Sequence, residues 1–159
     1  MAELMLDPKK TIGHLNSLIE LDFDAIEAYE AAIARLTEFD DKTQMQRFLA
    51  DHRRHVVDLT ALVRDFGGTA ATHADFKQVL TKGKVVLGGL SGNRAVLEAM
   101  KSNEETTTKT YQKASREPGL PARVRDVLER NFGDEERHLA WIEQRLSTMA
   151  HSSEARRPG

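Results

Sequence analysis

Glu135 and His138 stand three residues apart in the stretch Val124–Met149, which reads V-x-x-V-L-x-x-N-x-x-x-E-x-x-H-x-x-W-I-x-x-x-L-x-x-M. On a helix that spacing projects both side chains from one face. The apolar stripe of the same helix is Val124, Val127/Leu128, Trp141/Ile142, Leu146 and Met149. A stripe of this period faces a core. Glu135 and His138 interrupt it where another Leu or Ile belongs, and an unpaired carboxylate is costly to bury. A Glu-x-x-His pair aimed into a helical core is one half of a metal site. The rest of the chain must supply the other half.

Three more interruptions of apolar stripes meet that need. Leu15, Leu18/Ile19, Ile26, Tyr29, Ile33 and Leu36 form a stripe on which Asp22 is the one charged residue. Met45, Phe48, Val56, Leu59, Leu62/Val63 and Phe66 form another, broken by His52 and His55. Val96/Leu97, Met100, Thr107/Thr108, Tyr111 and Ala114 form a third, broken by Glu104.

These stripes predict four helices, near 8–38, 42–66, 92–116 and 121–149. Asp7-Pro8 is a helix start, Asp41 with Gln44 resembles a capping box, and Gly67-Gly68 is a C-terminal stop. Phe39–Lys42 reads as a tight connection, so the first two helices are antiparallel. Residues 67–91 break the rhythm, with room for a short helix over Asp75–Lys82. They read as a crossover that climbs the bundle, because two helices of this length can be joined in parallel only that way. Pro121 is placed to open the last helix. The expected architecture is an all-α four-helix bundle over 1–150, with a disordered polar tail over 151–159.

Asp22, His52/His55, Glu104 and Glu135 each lie near the middle of their helices, and midpoints meet when helix ends are in register. Six potential ligands then share one layer with no Lys or Arg among them. Each signal alone has a plain structural reading, as a buried hydrogen-bonded pair or as core histidines. Together they favour a metal site. Tyr29 and Tyr111 read as core tyrosines bonding buried carboxylates, Trp141 as packing beyond His138, and Asn131 as a second donor or a cap on a water. His14, His73 and His151 stand apart from this spacing and carry no assigned role.

Composition narrows the chemistry. The chain has 159 residues, a formal net charge of -2 and no cysteine. Without cysteine there are no thiolate sites, disulfides or iron–sulfur clusters, and any metal is held by N and O. The balanced charge favours neither nucleic acid nor an anionic membrane. No apolar run reaches the ~20 residues of a membrane span, and the N-terminus lacks signal-peptide regions. A cytoplasmic protein is expected.

The pattern resembles the ferritin-like superfamily of di-iron carboxylate proteins, the rubrerythrins, bacterioferritins and their relatives, over about residues 8–149. Those proteins carry one Glu on each of two helices and Glu-x-x-His on each of the other two. Glu135-x-x-His138 matches one pair, and Glu104 matches one single carboxylate. Asp22 to Tyr29 and Glu104 to Tyr111 both show the Tyr that often follows the single carboxylate by seven residues. The crossover with its own short helix looks most like bacterial ferritin-like domains of unknown function. Asp22 departs from the pattern by one methylene, and His52 stands where Glu should precede His55. Three carboxylates and three imidazoles replace four and two, a set that also suits Zn, Co or Ni by ligand type.

The resemblance implies a metal protein with two Fe ions, Zn or Mn being alternatives, ligated by Asp22, His52, His55, Glu104, Glu135 and His138. It implies a redox enzyme acting on O2, peroxide or Fe(II), and a homo-oligomer, a dimer. The other reading is a non-catalytic bundle, with a structural metal or none, acting through dimerisation or a partner. Since a neutral imidazole cannot bridge two metals as a carboxylate does, the second metal is expected to bind more weakly than in a four-carboxylate centre.

Overall fold

The computed structural model describes residues 4–74 and 90–155, with side chains placed through Ser152. The described residues form four helices: α1 (Pro8–Arg35), α2 (Phe39–Asp65), α3 (Asn93–Ser115) and α4 (Ala122–Ala155). No strand occurs among the described residues. The all-α bundle read from the stripes is the fold.

Pro8 sits in the first turn of α1, as its fixed φ allows. Asp7 holds the N-cap position but makes no side-chain capping bond. At its other end α1 stops three residues earlier than the stripe suggests. Leu36 has turned to extended backbone (φ -69°, ψ 143°) yet remains 2% exposed. Asn93 at the start of α3 ties this turn down, its Oδ1 accepting from the Thr37 amide at 2.9 Å.

The capping box expected at Asp41 is absent. Glu38 is the N-cap, without a side-chain bond, and Asp41 is buried in the first turn of α2. There its carboxylate accepts from Arg145 Nε at 2.6 Å and Nη2 at 3.2 Å. Gly67 ends α2 as expected, with φ 77°, and the Gly68 amide returns to the Val63 carbonyl at 2.9 Å. Gly119, between α3 and α4, has φ 78°, and a Cβ there would collide with the Leu4 carbonyl. The N-terminal segment lies against this turn, Leu6 N donating to Gly119 O at 2.8 Å.

These contacts set the directions. Thr37 meets the start of α3, and Leu6 meets its end, so α3 runs antiparallel to α1 and parallel to α2. The start of α3 therefore lies at the opposite end of the bundle from the end of α2, about 40 Å away for the 27 residues of α2 at ~1.5 Å per residue. The long crossover is present in this sense. The short helix expected over Asp75–Lys82 lies outside the described residues. At the C-terminus α4 continues to Ala155, so the expected polar tail begins as helix.

The core is in two halves. Ala32, Leu36, Met45, Phe48, Val96, Leu97, Met100 and Ile142 fill one end. Leu15, Leu18, Ile19, Leu59, Leu62, Val124 and Leu128 fill the other. Between them lies a polar layer. None of the described helices is long and apolar enough to cross a membrane.

Candidate metal centre

All six residues singled out in the sequence, Asp22, His52, His55, Glu104, Glu135 and His138, lie in that layer at 0% exposure. They form two groups of four whose ligand atoms lie within 4.8 Å of one another: Asp22, His52, His55, Glu135 and His52, Glu104, Glu135, His138. His52 and Glu135 belong to both.

Asp22 Oδ1 lies 2.8 Å from His52 Nδ1 and 3.3 Å from His55 Nδ1. His52 Nε2 lies 3.4 Å from Glu104 Oε1, and His138 Nδ1 lies 3.7 Å from Glu104 Oε2. Neither oxygen of Glu135 accepts a hydrogen bond, and His138 Nδ1 has no hydrogen-bond partner. The nearest donors to Glu135 Oε1 are His55 Nδ1 at 3.4 Å and His52 Nδ1 at 3.6 Å. Buried polar atoms are normally satisfied, so this is a layer built around something it does not itself supply.

Each half of the core sends one tyrosine into the layer. Tyr29 donates to Glu104 Oε1 and Tyr111 to Asp22 Oδ2, both at 2.5 Å. Burial, and then the adjoining carboxylate, raise both phenols well above their ordinary value, so they remain donors. Phe48 packs on the His138 ring at 4.2 Å between centroids, with Trp141 edge-on behind it. Asn131 is fully buried with its amide unpartnered.

Two supporting residues escaped the sequence reading. Asp134 Oδ2 lies 3.0 Å from His55 Nε2, and Asp51 Oδ2 lies 2.9 Å from His138 Nε2. Each aspartate precedes a candidate ligand on its own helix and orients the histidine of the other helix. The outer nitrogens of His55 and His138 are thus fixed, which aims their Nδ1 atoms inward, as orienting carboxylates do around metals. The available signal was the repeated D-x-x-x-H spacing, Asp51 to His55 and Asp134 to His138. All four contacts from Tyr29, Tyr111, Asp51 and Asp134 cross between the α1–α2 hairpin and the α3–α4 hairpin.

Outside the aspartates lie two arginines. Arg54 pairs with Asp51 (2.9 Å) and with Asp134. Arg137 pairs with Asp134 at 2.8 Å and Asp51 at 2.9 Å. Along the same seam Asp58 meets Arg130 at 2.5 Å and Asp65 meets Arg123 at 2.6 Å. Asp51, Asp58 and Asp65 are seven residues apart, as are Arg137, Arg130 and Arg123, so α2 and α4 are laced by an antiparallel ladder of ion pairs.

Protons hold the layer together when no metal does. Burial opposes charge throughout, but hydrogen bonds from His52 and His55 keep the Asp22 carboxyl below its ordinary range. Contacts with His138 and His52 do the same for Glu104. Against burial, the carboxylates around His55, Asp134 first, push it up to about 10. His52, beside Glu135 and Asp22, is also raised. Burial pushes Glu135 the other way, above the usual carboxylate value. The donor set, N and O only, with an unsatisfied buried carboxylate at the junction of the two groups, fits one or two divalent cations.

The four helices, in this order and with these directions, have the ferritin-like fold. The chain belongs to the family described as a domain of unknown function, DUF2383, which it matches over residues 10–117. Among solved structures it is similar to the dodecameric thioferritin, or bacterioferritin-related protein, of Bacteroides fragilis. That match has a TM-score of 0.81 and 17% identity, over 96% of this chain and 94% of the other. It is also similar to a ferritin-like, diiron-carboxylate protein from Bacillus anthracis strain Ames, with a TM-score of 0.69 and 21% identity, over 87% of this chain and 96% of that one. A two-domain protein of Anabaena variabilis, with DJ-1/ThiJ/PfpI-like and ferritin-like domains, matches with a TM-score of 0.66 at 12% identity, over 97% of this chain and 40% of its own. No curated protein matches the chain in sequence.

Proposed function

We propose that this protein binds two divalent metal ions, iron foremost, in its central layer, and that it is an oxidoreductase acting on O2, peroxide or Fe(II). Asp22 and His55 serve one ion, Glu104 and His138 the other, and Glu135 and His52 lie between them. The observation that carries the reading is Glu135, fully buried with neither oxygen accepting a hydrogen bond, where the two groups of four meet. Two bound irons would supply redox chemistry and open coordination positions. The chain supplies the rest: Tyr29 and Tyr111 hold Glu104 and Asp22 in place, Asp51 and Asp134 aim the histidines, and the apolar halves keep bulk water from the layer. The ferritin-like neighbours support the iron assignment, and the Bacteroides protein's assembly supports self-association, a dimer at least. We place the protein in the cytoplasm.

The second reading is a bundle with one structural metal or none, favoured by the imidazole–carboxylate contacts that already close much of the layer. Metal analysis of untagged protein separates the two. Near two irons per chain, with colour and O2 consumption after anaerobic Fe(II) addition, is the expected result. One zinc or no metal, without O2 consumption, supports the second reading. Glu104→Ala and Glu135→Ala should abolish metal loading and leave helical content intact. Glu135→Ala removes a buried carboxylate that accepts no hydrogen bond and should not harm the metal-free bundle. Glu104→Ala leaves Tyr29 and His52 Nε2 without their acceptor and should lower the melting temperature of that bundle. A variant that loads metal as well as wild type overturns the ligand assignment.

A further inference from the structure

The three histidines of the layer are not equivalent. His55 and His138 each spend their outer nitrogen on an aspartate, leaving Nδ1 to face inward. His52 has no such outer partner. Its Nδ1 lies 2.8 Å from Asp22 Oδ1 and its Nε2 lies 3.4 Å from Glu104 Oε1, so each edge of the ring faces a different group of four. The ring is wholly buried and fixed between the Tyr29, His55 and His138 rings, with centroids at 5.3, 5.4 and 5.3 Å.

Resting on the metal-binding reading above, we propose that His52 ligates both ions, Nδ1 the one beside Asp22 and His55, Nε2 the one beside Glu104 and His138. Its deprotonated ring, an imidazolate, then bridges the centre as a neutral imidazole cannot, and the Glu135 carboxylate is left to complete the set of one ion. Each ring nitrogen gives its lone pair to one ion, and any ring N–H protons leave to solvent. No electron is transferred in the step. The two ions are held a ring's width apart, farther than the two oxygens of one carboxylate would set them. The added nitrogen suits ions that take imidazole, such as Zn, Cu, Fe and Ni.

The test uses full-length, untagged protein with 15N-labelled histidine, loaded with Zn(II), a diamagnetic probe. Zinc per chain is counted by native mass spectrometry, and the ring nitrogens are followed by NMR. The expected result is two zincs and a His52 ring whose nitrogens are both metal-shifted and proton-free. His55 and His138 should each show one metal-shifted nitrogen and one N–H. His52→Gln identifies the His52 signals and should weaken the second zinc by about tenfold or more. If that variant does not fold, the wild-type signals are assigned through the contact with the Tyr29 ring. Two zincs with an N–H retained on His52, or one zinc per chain, overturns the bridge and leaves metal binding standing. Uptake of neither zinc nor Fe(II) overturns both.

Discussion

At the scale of single residues, the aspartates outside the histidines decide how well the layer receives a cation. Asp134→Asn or Asp51→Asn removes the charge that aims His55 or His138, and losing such a partner typically costs about 10–100-fold in metal affinity. The exposed Asp126→Asn serves as the control and should change nothing. The pH dependence follows from the same groups. His55, raised from 6.5 to about 10, adds stability that is complete below its ordinary value and lost as pH rises through about 10. Asp22, Glu104 and Asp134, all lowered, add stability above the ordinary carboxylate range that is lost in acid. The metal-free protein should therefore melt progressively lower as pH rises from neutral toward 10. Metal affinity should climb over the same window, because the ions replace those protons. A flat melting temperature across that window would contradict the protonated layer. The six inward residues were legible in the sequence because each breaks an apolar stripe. Asp51 and Asp134 were not, since both lie beside the stripe, where an aspartate looks like any solvated charge.

At the scale of elements, the α2–α4 seam carries a ladder of ion pairs, whereas α1 and α2 are joined by the Arg53–Glu30 pair at 2.9 Å. The rungs of the ladder are unequal. Arg130 and Asp58 are 54% and 29% exposed, so Arg130→Ala should cost about 0.2–1 kcal/mol in denaturant unfolding, less at high salt. Arg137→Ala has a second effect, because Asp51 then holds His138 with Arg54 as its one remaining arginine partner, and metal affinity should fall with stability. If Arg130→Ala and Arg137→Ala lower metal affinity equally, the ladder acts only through helix docking. Periodicity identified the four helices of the described residues yet misplaced some ends. Leu36 keeps the stripe's spacing after the helix has ended, because the period reports burial rather than backbone bonding. His151 and Ser152, beyond the end of the stripe in α4, are exposed, so no apolar spacing marks them as helix. Asp41 read as a cap because its partner Arg145 lies 104 residues away, beyond any local pattern.

At the scale of the whole molecule, a cation that binds only the folded chain stabilises it by mass action. At a free concentration of 100 times Kd this is about 2.7 kcal/mol, or roughly 5–10 °C in melting temperature for a chain of this size. Addition of Fe(II) or Zn(II) under anaerobic conditions should raise the melting temperature by about that amount, and chelation should reverse it. The Glu104→Ala protein should show neither change. A wild-type shift that persists in Glu104→Ala would place the cation elsewhere.

The crossing of every Tyr and Asp support between hairpins has one more consequence. Asp22, Tyr29, Asp51, His52 and His55 have counterparts 82 or 83 residues later in Glu104, Tyr111, Asp134, Glu135 and His138. Each hairpin thus carries half of the centre and the complement of the other half, and neither can complete a centre by itself. The fit does not depend on the two halves coming from one chain. Two molecules that trade hairpins would rebuild both centres with the same contacts, which makes domain exchange a low-cost route to a dimer. Such a dimer would have twice the monomer mass and an unchanged metal count per chain.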